Sequence, residues 1–170
     1  DAGKQVAADI NGLYVSTDVA DEQSAQALAA AAVDAYGRID GLVNNAAIYG
    51  GMKLDFLITV PWDYYKKFMS VNLDGALVCT RAVYRKMAKR GGGAIVNQSS
   101  TAAWLYSNFY GLAKAGVNSL TQQLATELGG QATSWDHDHP AASDSPLTQQ
   151  LLRTFDPHSV FRWKSPGAEA

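Results

Sequence analysis

The chain has 170 residues, of which 47% are hydrophobic and 18% are charged, a composition typical of one globular domain with a buried core. Its formal net charge of −2 gives no basic surface for nucleic acid or an anionic membrane, and no apolar run is long enough to span a bilayer. A single cysteine excludes an internal disulfide. Together these features suit a cytoplasmic protein that acts on small molecules, and they equally suit many other classes of protein.

Short apolar runs alternate with helical patterns over most of the chain. In chain order the predicted elements are a strand at 12–17 (GLYVST), a helix at 21–37, a strand at 39–47 (IDGLVNNAA), a helix at 62–90, a strand at 91–100 (GGGAIVNQSS) and a helix at 108–130. The second and third strands are apolar enough to be buried on both faces. Asp21 suits the start of the first helix and Gly37 its end.

This alternation predicts an α/β fold, a partial Rossmann-like, doubly wound parallel sheet with three strands and three helices. Ligands bind such sheets at the carboxyl ends of the strands. Small or polar residues follow the three predicted strands there: Asp18, then residues 44–47 (NNAA), then Ser99 and Ser100.

Residues 131–170 lose the helical and strand periodicity. They contain all three histidines and four of the five prolines, and 147–155 alone resembles a short helix. We therefore divide the chain into a partial Rossmann-type domain at 1–130 and an atypical, poorly ordered tail. The HDH run at 137–139 has no second ligand cluster near it, so we expect no metal site.

Tyr110 and Lys114 lie four residues apart, which places them on one face of the last predicted helix. A tyrosine is a poor base at neutral pH because its ordinary pKa is about 10, but a nearby ammonium group favours the phenolate. Such a pair can exchange a proton with an alcohol or a ketone. The same spacing is also typical of two partly exposed helix residues without any role.

Three neighbouring features favour the catalytic interpretation. Asn72 interrupts an apolar helix, Ser100 ends a strand just before Tyr110, and the NNAA run follows another strand. Each has an ordinary explanation alone, namely a solvent-facing asparagine, a strand end and a turn. Their occurrence together at successive strand ends is much less ordinary.

With these motifs the sequence resembles the short-chain dehydrogenase/reductase family. The resemblance covers about residues 9–130, through STDVAD, GRIDGLVNNAA, SVNLDGAL, GGGAIVNQSS and YGLAKAGVNSLTQQLATEL. It implies that Tyr110 is the general acid/base and that Lys114 stabilises its phenolate and holds the nicotinamide ribose. It also implies that Ser100 binds the substrate oxygen and that Asn72 holds a water in a proton relay.

The resemblance further implies NAD or NADP as the cofactor and a secondary alcohol or ketone as the substrate. Asn45, Ala46 and Ala47 would line the adenosine-ribose side of the cofactor, and Asp18 and Val19 would contact its adenine. Tyr110 and Lys114 would also touch the cofactor. The intact protein is expected to be a dimer or tetramer of identical chains, without nucleic acid or membrane partners.

Two local departures leave alternatives open. Ser100 lies closer to Tyr110 than is usual in the family, so Ser99 is an alternative to the preferred Ser100. The intervening loop contains Trp104 and Tyr106, and Phe109 follows it. These aromatic residues fit either a pocket for a cyclic or aromatic substrate or ordinary packing in the core.

The glycine-rich turn that holds the cofactor pyrophosphate in the family has no counterpart in this chain. We therefore expect a chain truncated before its first family motifs. An inactive fragment of an oxidoreductase is the favoured interpretation. The alternative is a cofactor-independent remnant that serves as a binding module. The residue that selects NAD or NADP would precede Asp1.

Overall fold

The computed structural model describes residues 2–53, 55–105 and 108–128, together with the backbone of 160–164. In chain order its elements are α1 (Ala2–Asp9), α2 (Glu22–Tyr36), β1 (Gly41–Asn44), α3 (Trp62–Met69), a π segment (Ser70–Asp74), α4 (Gly75–Ala88), β2 (Gly92–Asn97), a 3-10 turn (Thr101–Ala103), α5 (Asn108–Leu128) and β3 (Val160–Lys164). Helices and a small sheet therefore alternate, as the sequence predicts.

The ends of α2 confirm the predicted capping residues. The Ser24 amide donates a hydrogen bond of 2.6 Å to Oδ1 of Asp21, which satisfies a free amide of the first turn. Gly37 adopts a left-handed conformation with φ of 75°, and its amide donates to the carbonyl of Val33 at 2.7 Å. Glycine adopts this conformation without the steric penalty of a Cβ, so the helix ends here.

The sheet has the order β1-β2-β3, with β2 in the centre. β1 and β2 are parallel, and Asn44 lies opposite Asn97 at their carboxyl ends. β3 runs antiparallel to β2, with Val160 opposite Val96. The parallel pair therefore brings the residues that follow Asn44 and Asn97 to one edge of the sheet.

Two of the strand predictions are wrong. Residues 12–17 form no strand in the described structure, and Leu13 and Tyr14 are exposed. These residues have β propensity, but no described strand lies beside them, and a strand depends on pairing with a neighbour. β1 is not buried on both faces, because Val43 at the edge of the described sheet is 49% exposed.

The expectation of a poorly ordered tail is wrong for the five residues of β3, which form a strand. The rest of 131–170 lies outside the described residues, including the helix predicted at 147–155 and all three histidines. The division of the chain at residue 130 therefore remains a prediction. α1 is a further helix that the sequence patterns do not indicate.

The long helix predicted at 62–90 is continuous but changes its winding in the middle. α3 leads into the π segment and then α4, and Asn72 lies at the centre of that segment. Nδ2 of Asn72 donates to the carbonyl of Phe68 at 3.0 Å, so a side chain competes for the backbone ladder there. π segments of this kind occur frequently at functional sites.

Two apolar clusters form the described core. The larger joins α2, α4 and α5 to the central strand, and its buried members are Ala25, Ala29, Cys79, Ala82, Val83, Met87, Ile95, Leu124 and Ala125. The smaller joins α3 to the start of α5, and its buried members are Phe68, Phe109 and Ala113. α5 belongs to both clusters, so the helix that carries Tyr110 and Lys114 is held along its length.

Candidate active site

Lys114 places an ammonium group inside the protein. The residue is only 4% exposed, and its Nζ donates a hydrogen bond of 2.7 Å to the carbonyl of Gln98. Burial lowers the pKa of Lys114 below its ordinary value, because a charged group loses its hydration there. None of the ion pairs in the described part of the chain includes this lysine. A buried cation of this kind is suited to holding polar ligand groups.

The ring of Tyr110 contacts both the ammonium group of Lys114 and the smaller apolar cluster. Nζ of Lys114 is 5.8 Å from the ring centroid, within the range of a cation–π contact. The buried ring of Phe68 meets Tyr110 edge-on at 6.4 Å, and the ring of Tyr49 lies on it at 5.3 Å. The structure therefore brings the predicted Tyr–Lys pair together on α5 and fixes the tyrosine ring by packing.

Asn72 faces Lys114 across a small cavity. The cavity has a volume of about 20 Å³, and both residues line it with Asn44, Ala46 and Gln98. Asn72 is 3% exposed, and its Oδ1 has no hydrogen-bond partner among the described residues. A cavity of this size has room for one water molecule, which needs polar partners such as these.

The two candidate serines differ in their surroundings. Ser100 is half-buried, and its Oγ accepts a hydrogen bond of 3.2 Å from the amide of Ala102 at the start of the 3-10 turn. No hydrogen bond donated by this hydroxyl is found among the described residues, so its hydrogen can be donated to another oxygen. Ser99 is buried, and its Oγ has no partner in the described structure. The preference for Ser100 over Ser99 remains a prediction.

The predicted cofactor residues lie near the carboxyl edge of the sheet. Asn45, Ala46 and Ala47 are exposed directly after β1, and Ala46 lines the cavity described above. Val19 lines the same cavity and packs against the start of α4. Asp18 is exposed, and its Oδ1 accepts a hydrogen bond from the Ala20 amide at 2.9 Å.

Two residues near the site are not indicated by the sequence patterns. Gln98 acts through its backbone carbonyl, which any residue could provide, so its side chain gives no signal. Tyr49 is 64% exposed and lies against Tyr110. Its only sequence signal is an aromatic residue shortly after the NNAA run. We regard it as part of the outer wall beside the candidate catalytic ring.

The three aromatic residues in and after the loop between Ser100 and Tyr110 lie in different surroundings. Phe109 is fully buried and packs edge-on against Phe68 at 4.7 Å, so it belongs to the core and not to a substrate pocket. Trp104 is exposed and lines a surface groove with Phe56 and Leu112. Tyr106 lies outside the described residues.

Two kinds of feature are absent from the described structure. No described helix has the length and apolar character needed to cross a membrane. Across the same residues, no group of three or more histidine, cysteine, aspartate or glutamate side chains is arranged to hold a metal ion.

Comparison with known proteins finds relatives along most of the chain. A family profile described as enoyl-(acyl carrier protein) reductase matches residues 1–150. An uncharacterized oxidoreductase of Mycobacterium tuberculosis is 66% identical over 150 residues, which are 88% of this chain and 59% of that protein. The 2-(R)-hydroxypropyl-CoM dehydrogenase of Xanthobacter autotrophicus is 36% identical over 143 residues, or 82% of this chain and 57% of that protein.

A solved structure supports the same relationship. The short-chain dehydrogenase from Streptomyces avermitilis matches with a TM-score of 0.66 and 28% identity, over 75% of this chain and 47% of that one. This likeness and the parallel pairing of β1 with β2 confirm the α/β, Rossmann-like fold class predicted from the sequence. The chain spans less than two thirds of the length of each of these three proteins.

Proposed function

The chain belongs to the short-chain dehydrogenase/reductase family, and we propose that the protein interconverts a secondary alcohol and a ketone with NAD or NADP as cofactor. The observation that carries this proposal is the buried Lys114 ammonium group beside the Tyr110 ring, with Asn72 across the same small cavity. The cofactor-independent binding module has no observation in its favour among the described residues.

The residues present fit the nicotinamide-ribose side of the cofactor. Lys114 and Tyr110 would hold the ribose hydroxyl groups, because a buried cation and a phenol are strong donors at a site with little water. Asn45, Ala46 and Ala47 would line the adenosine ribose, since small side chains leave room at the strand end. Asp18 and Val19 would lie nearest the adenine. The bound nicotinamide would accept or supply the hydride.

The protein's own residues would move the proton. Tyr110 would take the hydroxyl proton of the alcohol during oxidation and return it to the ketone oxygen during reduction. Ser100 would donate its free hydroxyl hydrogen to the substrate oxygen, where negative charge develops.

The cavity between Lys114 and Asn72 would complete the proton path. A water molecule there can accept a hydrogen bond from Nζ of Lys114 and donate one to Oδ1 of Asn72, which has no other partner among the described residues. We further propose a cytoplasmic location and a homo-oligomeric state for the whole protein. The location rests on the composition and the single cysteine, and the oligomeric state rests on the family resemblance alone.

Two measurements on this chain test the proposed function, and they also test the interpretation of the chain as an inactive fragment, which predicts neither cofactor binding nor activity. Titration with NADH and NADPH, followed by nicotinamide fluorescence, should show binding of one or both with a Kd on the order of micromolar. In an assay with a panel of secondary alcohols, Tyr110→Phe should lower kcat by about 100-fold or more, because it removes the general base.

Tyr36→Phe is the matched control, because Tyr36 is exposed at the end of α2 and far from the site in sequence. It should leave both the cofactor affinity and kcat unchanged. Absence of cofactor binding would overturn the proposed function. So would a Tyr110→Phe variant that oxidises alcohols as fast as the wild type.

A further inference from the structure

A buried chain of hydrogen bonds lies behind the cavity. Asn97, the last residue of β2, is 0% exposed, and its Oδ1 accepts a hydrogen bond of 2.7 Å from Nδ2 of Asn44. Its own Nδ2 donates to Oγ1 of Thr121 at 3.0 Å. Oγ1 of Thr121 in turn donates to the carbonyl of Val117 at 2.7 Å. Both polar ends of the buried amide are therefore satisfied by side chains.

This chain of bonds joins the elements that carry the candidate site. Nδ2 of Asn44 also contacts the carbonyl of Ala76 on α4 at 3.3 Å, so β1, β2, α4 and α5 are all included. Asn44, Ala76 and Val117 line the cavity that separates Asn72 from Lys114. The network therefore forms part of the wall of that cavity.

Asn97, the last residue of the central strand, and Gln98, which directly follows it, hold α5 at two points. Asn97 binds Thr121 through its side chain, and Gln98 binds Nζ of Lys114 through its carbonyl. Lys114 and Thr121 are separated by two helical turns and so lie on nearly the same face. One contact fixes the distance between a helix and a strand, whereas two contacts along the helix also fix its rotation and its axial position.

We infer that Asn97 and Thr121 are positioning residues, which hold α5 so that Lys114 stays buried and faces Asn72 across the cavity. This inference rests on the proposed function for its catalytic meaning. Without the second contact, only the apolar packing of α5 and the bond between Lys114 and Gln98 oppose small shifts and rotations of the helix at the cavity. The ammonium group would then reach solvent more often, and the proton path would be broken.

The test compares two threonines of the same helix. Thr121→Val keeps the shape of the side chain but removes the hydroxyl that Asn97 needs, which leaves a buried donor unpaired. Thr126→Val is the matched control, because the exposed Thr126 makes the same local bond, from Oγ1 to the carbonyl of Gln122 at 3.0 Å. Thr121→Ser keeps the hydroxyl and should behave like the wild type.

The readout is the protection of two buried groups from chemical labelling, measured by mass spectrometry. An amine-acylating reagent reports the exposure of Lys114, and a thiol reagent reports the exposure of the buried Cys79 on α4. Thr121→Val should raise the rate of Lys114 labelling by about tenfold and leave Cys79 labelling unchanged. Thr126→Val should change neither rate.

Two outcomes would overturn the inference. In the first, Lys114 of the Thr121→Val variant remains as protected as in the wild type. In the second, labelling of Cys79 rises in parallel with that of Lys114, which indicates general loosening of the fold. If Thr121→Val fails to fold, Thr121→Ala removes the same hydroxyl without a methyl in its place and is judged by the same two rates.

The labelling result is independent of enzyme activity. If the wild type binds NADH or NADPH and oxidises alcohols, Thr121→Val should also lower kcat by about tenfold, with Thr121→Ser close to the wild type. If the wild type shows no activity, the proposed function fails, but the protection of Lys114 by Thr121 is still decided by the labelling rates.

Discussion

Lys114 keeps an ammonium group away from water, with one carbonyl as its hydrogen-bond partner among the described residues. Burial lowers its pKa in the folded protein, whereas the unfolded chain has the ordinary value of about 10.4. Between these two values the unfolded chain binds more protons than the folded protein does. The free energy of unfolding should therefore rise with pH in this window, and the penalty of burial is complete below it.

Lys114→Met tests this dependence because it removes the charge and keeps a long apolar side chain. Urea unfolding should show the wild type gaining stability relative to Lys114→Met as the pH increases from 7 toward 10. Lys66→Met is the control, since Lys66 is exposed on α3 and pairs with Asp63 at 2.9 Å. The difference in the free energy of unfolding between the wild type and Lys66→Met should not change with pH in this way. If the free energies of unfolding of the wild type and Lys114→Met changed in parallel with pH, a lowered pKa of Lys114 would be contradicted.

The residue types that carry the proposed chemistry are readable from the sequence, but their surroundings are not. Tyr110, Lys114 and Asn72 each have an ordinary explanation alone, and they give a signal only in combination with the neighbouring motifs. Gln98 gives none, because it contributes a backbone carbonyl. Thr121 gives none either, since a threonine within a helix usually bonds only its own backbone. Such contacts depend on how α5 packs on β2, which is a property of the tertiary structure.

At the level of elements, the position of the π segment is set by close contacts on both sides. A Cβ added to Gly75 would lie 2.9 Å from Cγ2 of Val19, and one added to Gly116 would lie 3.0 Å from the methyl carbons of Leu73. Glycine at these two positions lets the segment before α2 and the helix α5 approach the π segment closely. Asn72 is thereby held at the cavity.

Gly75→Ala should destabilise the protein by about 1 kcal/mol, because the cost of overpacking against the stiff Val19 side chain exceeds the gain in helix propensity. Val19→Ala in the same chain removes the opposing methyl groups. The double variant should therefore be more stable than the sum of the two single changes predicts, by about 0.5 kcal/mol or more in urea unfolding. Strict additivity would show that Gly75 and Val19 do not restrict each other.

Periodicity predicts the three long helices well, because each buries one apolar face along its length. It cannot predict the π segment, since a single inserted residue in the winding leaves the apolar pattern nearly unchanged. Strands are a different case. The runs at 12–17 and 39–47 are similarly apolar, yet only the second pairs with β2. The pairing partner, and not the run itself, decides which one forms a strand.

For the molecule as a whole, stability should be concentrated around β2 and α5. β2 has a hydrogen-bonded neighbour on each side, and α5 contributes to both apolar clusters. The segment 45–61 is held differently. Its described backbone bonds are local turns, such as the amide of Met52 to the carbonyl of Tyr49 at 3.2 Å. Cooperative opening of the core is therefore not needed to expose this segment.

Hydrogen exchange measured amide by amide tests this distribution, and two helices provide the sharpest comparison. α1 and α5 are both α-helices, of 8 and 21 residues, but α1 buries no residue, whereas Val117, Thr121 and other residues of α5 are buried. If packing determines protection, α1 and the segment 45–61 should exchange quickly and α5 and β2 slowly, because a short isolated helix is marginal in water. Equal protection of α1 and α5 would mean that local helix stability, and not the shared core, holds the helix that carries Tyr110 and Lys114.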